Sequence, residues 1–157
     1  MSGAVALRLA AEDPDDLRAI SAAVQDAVMR IEDVSFNRRA RSLTAVVNRF
    51  RWEEPRREER IRAVLRFDGV LAAQGRRRRS GATKGVASLL AVDFAPDAEP
   101  PGGVIRLVFA GDDAIALTVE CVDATLVDVG PRWRARRPRH DDGGKDGAAR
   151  GPRAVDS

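Results

Sequence analysis

The sequence predicts an α+β fold, mainly antiparallel β, built as a single small barrel or sandwich of about seven strands with one N-terminal helix. Three observations carry this prediction. Residues 103–130 form two alternating apolar segments that turn on Gly111–Asp113, residues 61–67 alternate apolar with mostly charged side chains, and one helix-start signal stands near the N-terminus. Curling the strands around one core would remove exposed strand edges.

The N-terminal segment predicts one short strand followed by the helix. Residues 5–9 place Leu7 and Leu9 on one face of a strand. Asp13 can then accept from the free amides of a helix start, and Pro14 suits the first helical position, so we expect a helix over residues 14–25. Its apolar face is formed at helical spacing by Leu17, Ile20 and Val24. The helix has no clear exit signal, and residues 26–31, which include Ala27, fit a strand at least as well as a further helical turn.

The next part of the chain has period-two patterning. Residues 34–36 and 42–50 predict a hairpin, and residues 53–60 predict a charged connector or a single helical turn. Residues 61–67 predict a half-buried strand that bends at Asp68-Gly69 and continues over residues 70–73. The glycines and charges of residues 75–85 then predict an exposed loop.

The C-terminal half predicts the centre of the sheet. Residues 86–94 are apolar at both parities, which favours a central strand that is covered on each side. In the closing hairpin, the apolar parity changes between Cys121 and Val122, so we expect a β-bulge or a sharp bend there.

Length and composition favour one cytoplasmic domain. A chain of 157 residues suits a single core, which we place in residues 1–140, with residues 141–157 as a disordered tail because they lack apolar periodicity. There is no apolar run long enough to span a bilayer, and a single cysteine, Cys121, fits a reducing compartment.

Positive charge is concentrated in two patches, although the net charge is only +3. Each patch supports two interpretations. The first, which is the same for both patches, is contact with phosphates or another anionic surface. The second is a solvated loop for the first patch and, for the second patch, a Trp133 side chain that caps the sheet. The candidate anion or nucleic-acid contacts are Arg76, Arg77, Arg78, Arg79 and Lys84 in the first patch, and Arg132, Trp133, Arg134, Arg136 and Arg137 in the second.

Catalytic and metal sites find little support in the sequence. The single histidine, His140, adjoins the predicted tail, and Cys121 has the parity of a buried apolar residue. Glu120, Asp123 and Asp128 have no diagnostic ligand spacing and are interpreted as an acidic outer face, so we expect no cofactor and no metal.

The segment NRFRWE, residues 48–53, ends a predicted strand with mixed basic and aromatic side chains. Phe50 and Trp52 have the same parity, so we expect them to close the core at that end. The alternative is that they rim a ligand pocket.

Four phrases together resemble a known bacterial family: QDAVMRIEDVSF (25–36), NRFRWE (48–53), VASLLAVDF (86–94) and VIRLVFAGDDAIALTVECVDATLVDVGPRW (104–133). The chain is similar, over about residues 5–140, to the alphaproteobacterial family known as domain of unknown function 2948. The resemblance implies no activity, cofactor or catalytic residue. The basic segment GRRRRSGATKG departs from the family in being longer and more basic.

Three functional hypotheses follow. The first is a non-catalytic binding or adaptor domain whose partner is unknown, either another protein or a second copy bound through a sheet edge. The second is a nucleic-acid or anionic-surface binder that uses the two arginine patches. The third is an enzyme that uses Glu120 and Asp123 with Arg49.

Overall fold

The computed structural model describes residues 6–53, 59–76 and 85–134. These residues form one helix and ten strands, where the sequence predicted about seven strands. The three additional strands cover residues 28–30, residues 70–76, which the sequence predicts as a continuation of residues 61–67, and residues 124–134, which the sequence predicts as part of the closing hairpin. The elements are β1 (Arg8–Ala11), α1 (Pro14–Ala23), β2 (Val28–Arg30), a 3₁₀ turn (Ile31–Asp33), β3 (Val34–Asn37), β4 (Ser42–Phe50), β5 (Glu59–Asp68), β6 (Val70–Arg76), β7 (Val86–Pro96), β8 (Gly103–Phe109), β9 (Asp113–Val119) and β10 (Ala124–Arg134).

All described strand pairs are antiparallel, and their order is β1-β10-β5-β4-β2-β7-β8-β9-β6, with β3 beside β4. The short strand β2 pairs with both β4 and β7 and so joins two halves of the sheet. The order begins at β1 and ends at β6, so the described strands do not close into a barrel. The predicted antiparallel class with one helix is confirmed, and closure is not found.

Gly69 lets the chain pass from one half of the sheet to the other. Its φ of +71° lies in the left-handed region, which glycine adopts without strain. The bend separates β5 from β6. Directly after the bend, the amide of Val70 donates to the carbonyl of Arg41. The bend is where the sequence predicts it, but the prediction that residues 70–73 continue the same ladder is wrong, because β5 pairs with β4 and β10 whereas β6 pairs with β9.

The two halves of the sheet share one apolar core. Alternate residues of each long strand point inward, as in β5, where four side chains are buried in period two: Ile61, Ala63, Leu65 and Phe67. They belong to a cluster that also includes buried residues of β7, β8 and β9, among them Leu89, Leu107 and Leu117. The sheet is therefore curled over a single interior.

Helix α1 begins as the sequence predicts and ends two residues before the predicted limit. The Asp13 carboxylate accepts from the amide of Asp16 at 2.8 Å, and Leu17 and Ile20 are buried. The helix stops at Ala23, and Asp26 has a φ of +65° that redirects the chain into β2. The helix is also hydrogen-bonded to β7, where the Ser21 hydroxyl accepts from the amide of Val92 at 2.9 Å. Val92 lies beyond the β7 residues that pair with β2.

The prediction that residues 86–94 are covered on both faces is wrong. Val86 is 65% exposed and Leu90 45% exposed, whereas Leu89 and Val92 are buried. The strand is central in the order, but the helix and the core cover only its inner face. A register shift between Leu89 and Ala91 changes which parity points inward, and this explains why both parities are apolar.

The predicted break near Cys121 is confirmed as a bend. Strand β9 ends at Val119 and β10 begins at Ala124, and between them the chain crosses from one half of the sheet to the other. Cys121 is half-buried, so its predicted burial is wrong; the neighbouring Val122 is the residue that enters the core.

Several predictions concern residues outside those that the structure describes. They are residues 54–58 of the predicted connector, most of the basic loop, and the tail of residues 141–157. The predicted connector over residues 53–60 ends too late, since Glu59 and Arg60 belong to β5. The predicted loop over residues 75–85 begins too early, since Gly75 and Arg76 belong to β6. In the part of the chain that is described, no helix is long and apolar enough to cross a membrane.

Candidate functional site

An apolar cleft opens between β3 in one half of the sheet and β6 in the other. Its volume is about 310 Å³. Two of its lining residues, Leu43 and Phe109, are fully buried and form its deep end. The complete lining is Ile31, Val34, Phe36, Leu43, Ala73, Gln74, Gly75, Phe109, Asp113, Ala114 and Ile115.

The cleft exists because β6 carries small residues on its inner face. Ala73 lies opposite Leu117 and Gly75 lies opposite Ile115, and these two β9 residues have the inward parity. A Cβ atom added to Gly75 would meet no heavy atom within 4 Å. Larger side chains at these two positions would occupy part of the cleft.

Both strands beside the cleft have an edge without a described partner strand. Strand β6 ends the strand order, and β3 pairs only with β4. Edge strands are usually protected by charge, proline or shortness. Strand β6 has seven residues, VLAAQGR, with no proline and no charge before Arg76, and its Leu71 is 48% exposed. Beyond the register shift between Val70 and Ala72, its outer edge has no partner strand among the described residues, which leaves residues 72–76 for pairing with another extended segment.

The polar side chains of the lining are Gln74 and Asp113. The remaining lining residues are apolar or glycine, so shape and apolar contact dominate what the cleft can recognise. Among the described residues, no group of histidine, cysteine and acidic side chains could hold a metal ion.

The most deeply buried polar group is Arg49, at 0% exposure. Its Nε donates to Asp128 Oδ1 at 2.9 Å and its Nη2 to Asp128 Oδ2 at 3.0 Å. Nη1 and Nη2 also donate to the two Glu53 carboxylate oxygens, at 3.1 and 2.8 Å, and Nη1 donates to the Phe50 carbonyl at 3.0 Å. All five guanidinium N–H groups are thus used within the protein.

Burial alone would lower the pKa of Arg49, but the hydrogen bonds and charges of Asp128 and Glu53 outweigh it and raise that pKa above its ordinary value. Burial alone would likewise raise the pKa of Glu53, but Arg49 and Arg51 hold it below the ordinary range. Both groups are therefore charged at neutral pH.

This buried ion pair is structural. Asp128 Oδ2 accepts from the amide of Leu7 at 2.9 Å, and the Asp128 amide donates to the Leu7 carbonyl at 3.1 Å, so the pair fixes the segment before β1 against β10. The hypothesis that grouped Glu120 and Asp123 with Arg49 is wrong. Arg49 has no free donor for a substrate, and Glu120 instead accepts from Arg41 at 2.7 Å.

The sequence carries a signal for this pair in the parity of its two members. Asp128 has the parity of the inward residues Ala124 and Leu126, and Arg49 has the parity of the inward residues Ala45 and Val47. The interpretation of Asp128 as part of an acidic outer face is therefore wrong. Two opposite charges at inward positions of two strands predict a buried ion pair.

The same parity overturns the predicted role of Trp52. Because Arg49 points inward, Phe50 lies on the outer face of β4. Trp52 follows the strand and is 44% exposed, so it does not close the core.

The structure leaves the two arginine patches as predictions. Arg76 ends β6 with its backbone opposite Ala114, and Arg132, Trp133 and Arg134 lie in β10 with their backbone opposite Ile61, Arg60 and Glu59. Strands β6 and β10 lie near opposite ends of the strand order. The other predicted contacts, Arg77, Arg78, Arg79, Lys84, Arg136 and Arg137, lie outside the described residues.

Comparison with known proteins identifies a family and no activity. No curated protein and no solved structure gives a significant match to the chain. A family described as a protein of unknown function, DUF2948, matches residues 7–140. That match includes the cleft, the buried ion pair and all of the described sheet, and it agrees with the resemblance found in the sequence. The chain therefore belongs to the DUF2948 family of proteins of unknown function.

Proposed function

We propose that this protein is a non-catalytic binding domain that takes an extended polypeptide segment along β6, with an apolar side chain of that segment in the cleft. The observation that carries the proposal is the position of the cleft between two strand edges. A groove beside an unpaired edge offers main-chain hydrogen bonds and a side-chain pocket together.

The size and chemistry of the cleft support a peptide side chain as its occupant. A volume of about 310 Å³ is at the lower limit of small-molecule pockets, which span about 300–1,000 Å³. The apolar lining suits one or two aliphatic or aromatic side chains. In an added strand, every second residue would point into the cleft.

The lining also supports a binding role over a catalytic one. Its polar side chains, Gln74 and Asp113, do not form a nucleophile–base pair. The buried guanidinium of Arg49 is saturated by its own partners. We place this binding domain in the cytoplasm, because its one cysteine, Cys121, is a free thiol that suits a reducing compartment.

Selection of a displayed random-peptide library on the immobilised full chain would test the proposal. We expect the enriched peptides to alternate apolar with polar residues. Their affinity should fall by at least about tenfold in Gly75→Leu, because the new side chain fills the cleft. Methylation of alternate peptide amides should also weaken binding, because it removes main-chain donors.

The matched control is Ala72→Leu. This substitution adds the same side chain to the same strand, but Ala72 is exposed and opposite in parity to the cleft residue Ala73, so peptide affinity should not change. The proposal is wrong if no alternating peptide is enriched, or if Gly75→Leu and Ala72→Leu behave alike.

The extended segment could come from a second copy of the chain, and sedimentation distinguishes that source. A self-associating protein would show a dimer that dissociates on dilution and is lost in Gly75→Leu. A protein that binds a foreign segment would stay monomeric and still bind the selected peptide.

A further inference from the structure

An aromatic corner stands on the outer face of the sheet, away from the cleft, where β4 ends beside the start of β5. It consists of Asn48, Phe50, Trp52 and Arg60. Phe50 and Arg60 are paired across the two strands, and Asn48 has the same outward parity as Phe50. None of these residues belongs to the lining of the cleft.

Arg60 is a positive charge with little compensation. Its guanidinium lies over the Phe50 ring at 3.8 Å and donates to the Asn48 carbonyl at 2.9 Å. Within the described part of the chain, no ion pair joins it to a carboxylate. Burial lowers the pKa of Arg60 to about 10, against a smaller opposing effect of Asp26, so the group remains charged at neutral pH.

Trp52 supplies an exposed aromatic surface in a fixed orientation. Its ring centroid lies 5.2 Å from that of Phe50 with a tilt of 53°, and its Nε1 donates to the Gln25 carbonyl at 3.2 Å. Although held in this way, the residue is 44% exposed. A fixed, solvent-facing indole beside a cation is the combination on which unpaired bases stack.

Phe50 brings the charge and the stacking surface together. The Arg60 guanidinium lies over the Phe50 ring, and the Trp52 ring lies beside the same ring. A positive charge and an exposed aromatic surface are therefore close together.

We propose that this corner binds single-stranded nucleic acid, with a base stacked on Trp52 and a phosphate at Arg60. A duplex would keep its bases inside the stack and leave the indole without a partner. An anionic membrane is a poorer match, because an interfacial indole keeps its N–H for water or headgroups and Trp52 already uses its own.

Titration of a labelled oligouridylate with the full chain, followed by anisotropy at several salt concentrations, tests this site. Trp52→Ala should weaken binding at least about fivefold, the lower end of what a stacked base contributes. Arg60→Gln should reduce the slope of log affinity against log salt by about one phosphate contact. Arg106→Gln is the control, since Arg106 is an exposed arginine on β8 paired with Asp93, and it should change neither quantity.

Fluorescence provides a readout that charge alone would not affect. In a Trp133→Phe background Trp52 is the only tryptophan, and a base-bearing oligonucleotide should quench it, whereas an abasic one of equal charge should not. Trp52→Phe, which keeps an aromatic ring, should retain more affinity than Trp52→Ala. Because the two sites are separate, Gly75→Leu should leave oligonucleotide binding unchanged even if it abolishes peptide binding.

Three results would overturn the proposal. One is the absence of oligonucleotide binding. Another is equal affinity for base-bearing and abasic strands, or for the wild-type protein and Trp52→Ala, which would indicate a general attraction to polyanions. The third is binding to anionic vesicles with a blue shift of Trp52 emission and no response to the oligonucleotide, which would assign the corner to membranes.

Discussion

The buried pair of Arg49 and Asp128 shows how a single arginine can be accommodated in a core. Removing two charges from water is costly, and the attraction between them offsets this cost only when the geometry is good and the remaining donors are satisfied. Here the side chains are 0% and 2% exposed, and every Arg49 donor has an acceptor. The core therefore accommodates the two charges together, but removing either side chain would leave the other charge buried without its partner.

We expect Asp128→Asn to destabilise the fold by about 3 kcal/mol, because it leaves a buried guanidinium with only one carboxylate. Urea unfolding measures the change. The control is Asp93→Asn, which breaks the exposed pair with Arg106 and should cost less than about 1 kcal/mol. Equal losses of unfolding free energy in Asp128→Asn and Asp93→Asn would show that Glu53 alone neutralises Arg49.

Because of the Glu53 carboxylate, the free energy of unfolding should fall as the pH is lowered through the acid range. Its folded pKa is below the ordinary value of 4.5, so its contribution is complete above that value and is lost as the pH falls through the lower folded pKa. Urea midpoints of the wild type and Glu53→Gln should therefore differ most near neutral pH and converge in acid. A difference that stays constant down to about pH 3 would contradict this assignment.

At the scale of elements, local signals predicted most of the structure. Asp13 and Pro14 placed the helix start, and alternation placed β4, β5, β8 and β9 because each has one face on the core and one in water. The signal failed where this condition fails. In β7 a register shift makes both parities apolar.

One contact between elements lends itself to a direct test. The Ser21 hydroxyl accepts from the Val92 amide, which lies past the end of the β2–β7 pairing. Ser21→Ala leaves that amide without its acceptor and should cost about 1–3 kcal/mol in urea unfolding. Ser35→Ala, at an exposed position on β3, is the control and should have a smaller effect. Equal effects would mean that water replaces the hydroxyl.

At the scale of the whole molecule, the open strand order should determine where the backbone exchanges with solvent. Strands β5 and β8 each lie between two partners, whereas β6 has one. We expect the slowest amide exchange in β5 and β8 and rapid exchange on the outer edge of β6, measured on dilute protein. Added peptide should then protect that edge. Full protection of β6 without a ligand would show that its edge is already covered.

The cleft itself could not have been predicted from the sequence. Gly75 falls where the sequence predicts an exposed loop, and Phe36 falls in a short hairpin strand, with no local sign that the two face one cavity. They meet because the chain bends at Gly69 and β6 pairs with β9 in the other half of the sheet. The buried ion pair was predictable in principle, because parity alone places both of its members inside.

The sequence by itself determined the antiparallel class, the helix start, the bend at Gly69 and the break near Cys121, because each depends on neighbouring residues and on backbone conformations that they allow. Only the tertiary structure decided the strand order, the cleft between β3 and β6 and the aromatic corner around Trp52. These features arise where segments distant in the chain come together, and side-chain periodicity shows which face of a strand is inward but not which strand lies beside it.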